Sequence, residues 1–185
     1  VLLQGSSPHH VDDPRGDPDL EAPLFLCDRN LNVVSRVQPG RSNWHGPRSI
    51  DEAGGTIIYA EYPENGAKYR PEFRTREAEF LRLCDNSAVF RSTDAGRSWT
   101  KVLEKSWREI RHFHTVIADP YESGVWYLSS GDSPHECRMW RSHDDGLTWQ
   151  EITAKTAGTP LHPSMAGKEQ AVNRHTDMVI LPDRI

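Results

Sequence analysis

Three stretches of the chain begin alike: WHGPRSID from Trp44, HFHTVIAD from His112 and NRHTDMVILPD from Asn173. Aligned, they bring His45, His114 and His175 to equivalent places, with Arg48 and Arg174 in the same stretches. Neutral imidazole ligates metals and exchanges a proton near neutral pH, so a recurrent His is a candidate for either task. His112 and His114 are two residues apart, which on a strand puts both on one side. His112, His114 and His175 therefore form a candidate set for a divalent metal, with Glu109 or Asp132 available to add a carboxylate. Alternatively, His114 and His175 with Glu61 and Asp132 form a candidate acid–base set. Glycosidic cleavage uses two carboxyl groups whose separation decides the stereochemistry, while a lyase would use His or Tyr to abstract a proton. The same histidines also suit plain hydrogen bonding between neighbouring structural repeats.

Two polar segments add groups for binding. SGDSPHEC, from Ser130, contributes Asp132, His135 and Glu136, and the long stretch from Tyr62 to Asp85 contributes Tyr62, Tyr69, Arg70, Arg74 and Arg76. With His45, Arg48 and Arg174, His135 and Glu136 make a candidate substrate-binding set. A planar guanidinium meets a carboxylate in a two-pronged contact, which suits an acidic sugar or a protein partner. A solvated flap with internal ion pairs would use the same residues.

The elements that must position these residues are legible from a repeat. FRSTDAGRSWTKV starts at Phe90 and WRSHDDGLTWQEI at Trp140, placing Ser92 and Ser142 fifty positions apart. Each copy reads as a strand, a tight Asp-x-Gly turn and a second strand. The Asp accepts hydrogen bonds from turn amides, and Gly96 and Gly146 take positive φ at little cost. Trp99 and Trp149 bring large rings to bury between sheets.

Ser92, Asp94, Gly96, Trp99 and Ser142, Asp144, Gly146, Trp149 resemble the Asp-box, or bacterial neuraminidase repeat, of sialidase-like and sortilin-like β-propellers. That resemblance implies an all-β fold of four-stranded antiparallel blades, with the boxes as structural hairpins between third and fourth strands. It also implies that function lies on the opposite face, where first strands enter and second strands leave. GPRSIDEAGGTIIYAEY resembles sialidases, making Arg48 a candidate for one of the arginines that hold the substrate carboxylate. The departure of PRSI from the family's Arg-Ile-Pro and the missing Tyr/Glu nucleophile pair weaken that likeness. The expected activity is a carbohydrate-active hydrolase or lyase, and the alternative is a non-catalytic glycan- or protein-binding module.

About three blades' worth of sequence is expected: the end of a blade over 21–38, blades over 43–105 and 111–155, and the start of another over 171–185. Closed propellers hold roughly 4–8 blades, so further blades are expected from a longer chain or other subunits. Residues 1–20 read as an irregular arm, rich in Gly, Pro and Asp. The 22 basic and 27 acidic residues, with no basic block, argue against nucleic acid as a partner. No apolar run has the length of a membrane span and no signal peptide is legible, so the sequence gives no address. Three cysteines at wide spacing argue against a disulfide scaffold and leave at least one free thiol.

Overall fold

The structure is a computed structural model that describes residues 2–4, 24–40, 48–63, 65, 75–76, 78, 84–133 and 135–152. It is all-β, with eleven strands among the described residues. Strands β1 (Leu2–Gln4), β2 (Leu24–Cys27) and β3 (Val33–Val37) form a three-stranded sheet. Strands β4 (Ile50–Ala53), β5 (Thr56–Ala60), β6 (Ser87–Ser92) and β7 (Thr100–Lys105) form a four-stranded sheet in that order. A second four-stranded sheet holds β8 (Phe113–Ala118), β9 (Trp126–Ser130), β10 (Arg138–Ser142) and β11 (Gln150–Glu151). Every pairing within the sheets is antiparallel between sequential strands. The expected stretch at 171–185 lies outside the described residues. Within 1–20, expected to be irregular, Leu2–Gln4 instead pair with Leu24–Leu26 as a strand. None of the three cysteines forms a disulfide.

Burial is concentrated in β5, β6, β8 and β9, whereas β4 has no fully buried residue and β7 and β11 have none either. A strand buried on both faces needs packing partners above and below, and neighbouring sheets supply them. Ile58, Ala60 and Val89 of one sheet meet Phe113, Val116, Trp126, Leu128 and Trp140 of the other in a single cluster. Phe113 and Trp140 meet edge to face, with centroids 5.5 Å apart. On the other side, Tyr59, Ala88 and Phe90 pack with Leu24 of the three-stranded sheet. Trp99 joins that second cluster and Trp149 the first.

Polar contacts complete the seam between the four-stranded sheets. The Val116 amide donates to the Arg48 carbonyl at 2.9 Å, and Arg48 and Thr115 form a parallel bridge. The Ala118 amide donates to Asp51 Oδ2 at 2.9 Å. At the tip of the second box, Asp145 receives Arg91 Nη2 at 2.6 Å and the Thr56 hydroxyl at 2.5 Å, both from the neighbouring sheet. Asp145 Oδ1 also accepts from Trp126 Nε1 at 3.3 Å. Gly146 holds φ 81°, and a Cβ there would run into Ile58 of that sheet.

The two boxes are built alike. Asp94 Oδ1 accepts from the amides of Arg97 at 3.0 Å and Ser98 at 2.9 Å, and Oδ2 from the Ser98 hydroxyl at 2.7 Å. The Ser92 hydroxyl donates to Asp94 at 2.9 Å while accepting from the Gly96 amide at 2.9 Å. In the second copy, Asp144 takes the Thr148 amide at 2.8 Å and hydroxyl at 2.6 Å, with Ser142 at 2.8 Å. The Ser98 hydroxyl and amide, then Ser92, hold Asp94 at about 2, and the Thr148 hydroxyl and amide do the same for Asp144, also at about 2.

Two expected outcomes follow from these contacts. Gly54 has φ 60° with open space around it, and Gly146 has φ 81° against Ile58. Gly54→Ala should cost about 1–2 kcal/mol of backbone strain, and Gly146→Ala about 1–3 kcal/mol more from overpacking. Equal losses in urea unfolding would show that the box does not dock on the neighbouring sheet. Because the folded carboxylates titrate below the ordinary 3.8, their contribution is complete above that value and is lost as pH falls to about 2. The fall in Tm across that window should be shallower in Asp94→Asn/Asp144→Asn than in the wild type, and an unchanged slope would contradict it.

Candidate functional site

The register of the last sheet separates two ends. Phe113, Ser130 and Arg138 lie together at one end, and Ala118, Trp126 and Ser142 at the other, from which the box hairpin projects. His112 immediately precedes β8, His114 lies in its first turn of pleat, and Asp132 follows β9, so all three stand at the end away from the hairpin. β8 carries a register shift between Phe113 and Thr115, at His114. A bulge of this kind re-aims a side chain and disturbs simple alternation along the strand. Here Phe113 enters the core while His112 and His114 are both buried at the sheet end.

The structure brings His112, His114 and Asp132 into one cluster whose ligating atoms all lie within 4.8 Å of one another. His112 Nε2 is 2.8 Å from Asp132 Oδ2, and His114 Nε2 is 3.7 Å from Oδ1. Arg111 Nη1 also approaches Asp132 Oδ2, at 3.4 Å. On its other side, His112 Nδ1 lies 3.1 Å from the Pro63 carbonyl. A carbonyl only accepts, so Nδ1 carries the hydrogen. Tyr62 stacks on His112 with centroids 3.5 Å apart and meets His114 edge-on at 5.6 Å. Asp132 takes φ 84°, an uncommon conformation for a residue with a side chain.

Burial, though partly offset by Asp132, lowers the pKa of His112. Burial pushes Asp132 up, but the facing His112 and His114 rings and the Arg111 charge hold it well below the usual carboxylate range. Burial, followed by the charges of Asp132 and Glu136, raises the Cys137 thiol. The cluster is thus a carboxylate facing two buried imidazoles, with a phenol ring as one wall. Such a set can hold a cation or position a proton.

The other expected site residues fall elsewhere. Glu61 is buried, and its Oε2 accepts the Ala88 amide at 3.0 Å. It lines a cleft of about 570 Å³ together with Gly40, Phe90 and Trp107. Glu136 is fully buried, accepting from the Ser133 hydroxyl at 2.7 Å. His135 is exposed, with its ring 3.2 Å from the Ser133 hydroxyl. Arg48 is exposed at the seam between β4 and β8. His45, His175 and Arg174 lie outside the described residues. Sequence reasoning did not single out Arg111 or the Pro63 carbonyl; adjacency of Arg111 to His112 was the available signal for the first, and a backbone acceptor leaves none.

No family model matches the chain. A vacuolar protein sorting/targeting protein 10 from Mycosarcoma maydis is 31% identical over 93 residues, 50% of this chain and 6% of that protein. The protein of the same name from Phaeosphaeria nodorum is 26% identical over 98 residues, 51% of this chain and again 6% of the relative. The chain is thus distantly similar, over about half its length, to a small part of two sorting proteins.

Proposed function

We propose that this chain is part of an Asp-box β-propeller that works as a binding module, holding a polypeptide on the face opposite the box hairpins. The observation that carries this reading is the partial similarity to two proteins named for sorting and targeting. Two four-stranded antiparallel sheets of sequential strands, packed against each other through one apolar cluster, support the propeller architecture. In this reading the three sheets are blade units: the end of a blade over 21–38, joined by Leu2–Gln4, and blades over 43–105 and 111–155, with the start of another over 171–185. Further blades come from a longer chain or other copies, since closed rings hold roughly 4–8. Arg48 and His135, both exposed at the relevant end, are the described residues best placed for a ligand.

The expected hydrolase or lyase is the second reading. In its favour is the cluster of His112, His114 and Asp132, which suits proton transfer. Against it, Glu61 Oε2 accepts the Ala88 amide and the buried Glu136 accepts the Ser133 hydroxyl, so both carboxyls already have partners within the fold. A displayed peptide library selected on the full chain separates the readings. Selected peptides should lose about tenfold in affinity with Arg48→Ala or His135→Ala, a typical step for a contributing interface residue. Leu147→Ala, at the opposite hairpin end, should leave affinity unchanged. Peptides insensitive to both site-end changes, or turnover of acidic polysaccharide by the chain, would overturn the binding reading. Saturable glycan binding without turnover would keep the module and replace its ligand.

A further inference from the structure

We propose that His112, His114 and Asp132 form a binding site for one divalent transition-metal ion of the Zn²⁺ class, ligated by the two Nε2 atoms and a carboxylate oxygen. This site is independent of whether the neighbouring face holds a peptide or a glycan. Its first support is the orientation of His112. With the Nδ1 hydrogen directed at the Pro63 carbonyl, the neutral ring aims its Nε2 lone pair at Asp132 Oδ2, only 2.8 Å away. Two lone pairs that close repel unless a cation lies between or beside them. Arg111 Nη1 stands 3.4 Å from Oδ2, while His112 Nε2 is buried and makes no hydrogen bond of its own, and a metal ion shared with the carboxylate would satisfy it.

The second support is the donor spacing. Donors about 2.0–2.2 Å from a tetrahedral zinc ion lie roughly 3.3 Å from one another. His112 Nε2 is 2.8 Å from Oδ2 and His114 Nε2 is 3.7 Å from Oδ1, on either side of that value, and the ligating atoms all lie within 4.8 Å of one another. A carbonyl that fixes the far nitrogen of a ligating His is the common outer-shell arrangement, since it selects the tautomer and orients the ring. The third support is the backbone: Asp132 is held at φ 84° and His114 sits at a bulge, two local departures that converge on one point. Arg111 faces the same carboxylate at 3.4 Å, on Oδ2, leaving Oδ1 beside His114. Two nitrogens and one oxygen suit zinc and its neighbours better than calcium or magnesium, which prefer oxygen.

The test titrates the full chain, stripped with a chelator, using Zn²⁺ by calorimetry and Co²⁺ by visible absorption. One Zn²⁺ per chain is expected, with a raised Tm. Asp132→Asn and His114→Gln should each weaken binding by at least about tenfold. Should either variant fold poorly, nitrogen NMR of the wild-type His112 ring gives the answer without substitution, because Zn²⁺ must shift Nε2 and spare Nδ1. Lack of Zn²⁺ uptake overturns the site, as does a His112 Nε2 signal unmoved by the metal. Uptake that survives intact in a folded Asp132→Asn/His114→Gln double variant also overturns it, assigning the metal to other histidines.

Discussion

The burial of Phe113, Trp126 and Trp140 against Ile58, Ala60 and Val89 joins one four-stranded sheet to the next, and the remaining architecture follows from that contact. A sheet has two faces, and inner strands apolar on both cannot be satisfied within one sheet. Each sheet therefore needs a neighbour on either side, which is what Leu24 with Tyr59 and Phe90 provides for the other face. Hydrogen bonds then fix how the sheets lie against each other. Asp145 ties the box tip to Arg91 and Thr56, while Arg48 and Glu61 carbonyls receive amides of β8.

The end that carries the candidate site is a product of the same seam. β8 starts where β5 leaves its sheet, so the Phe113 amide meets the Glu61 carbonyl, and the next residues of each segment come into contact. That meeting stacks Tyr62 on His112 and supplies the Pro63 carbonyl to its ring. Asp132 reaches the pair from the end of β9, at the same end of the sheet. The proposed metal and the proposed ligand-binding face are thus both built at the junction of two sheets.

The strands of both four-stranded sheets and their hairpins were legible because their signals are local: alternation, Asp-x-Gly turns and a tryptophan at fixed spacing. β1 was not, because Leu2–Gln4 pair with a strand twenty residues further on and nothing near them marks a partner. Asp145 stands at the unspecified middle place of Asp-x-Gly, which Ala95 fills in the first copy. Only the neighbouring sheet gives it Arg91 and Thr56. Glu61 and Glu136 were read as acids available to a ligand, but residue type does not reveal burial, and both are held by hydrogen bonds inside the protein. The proximity of His112, His114 and Asp132 was foreshadowed by strand spacing and loop order, whereas the bulge at His114 and the conformation of Asp132 required coordinates.

The most direct test of the account is native-state hydrogen exchange on the full chain, read at the amides of Phe113 and Val116. Their acceptors, the Glu61 and Arg48 carbonyls, belong to the neighbouring sheet. If sheet-to-sheet docking governs the fold, these amides exchange only with the global opening that frees the core amides of β9. Exchange of Phe113 and Val116 much faster than Leu128 would mean that the sheets part freely, contradicting a site built at their seam.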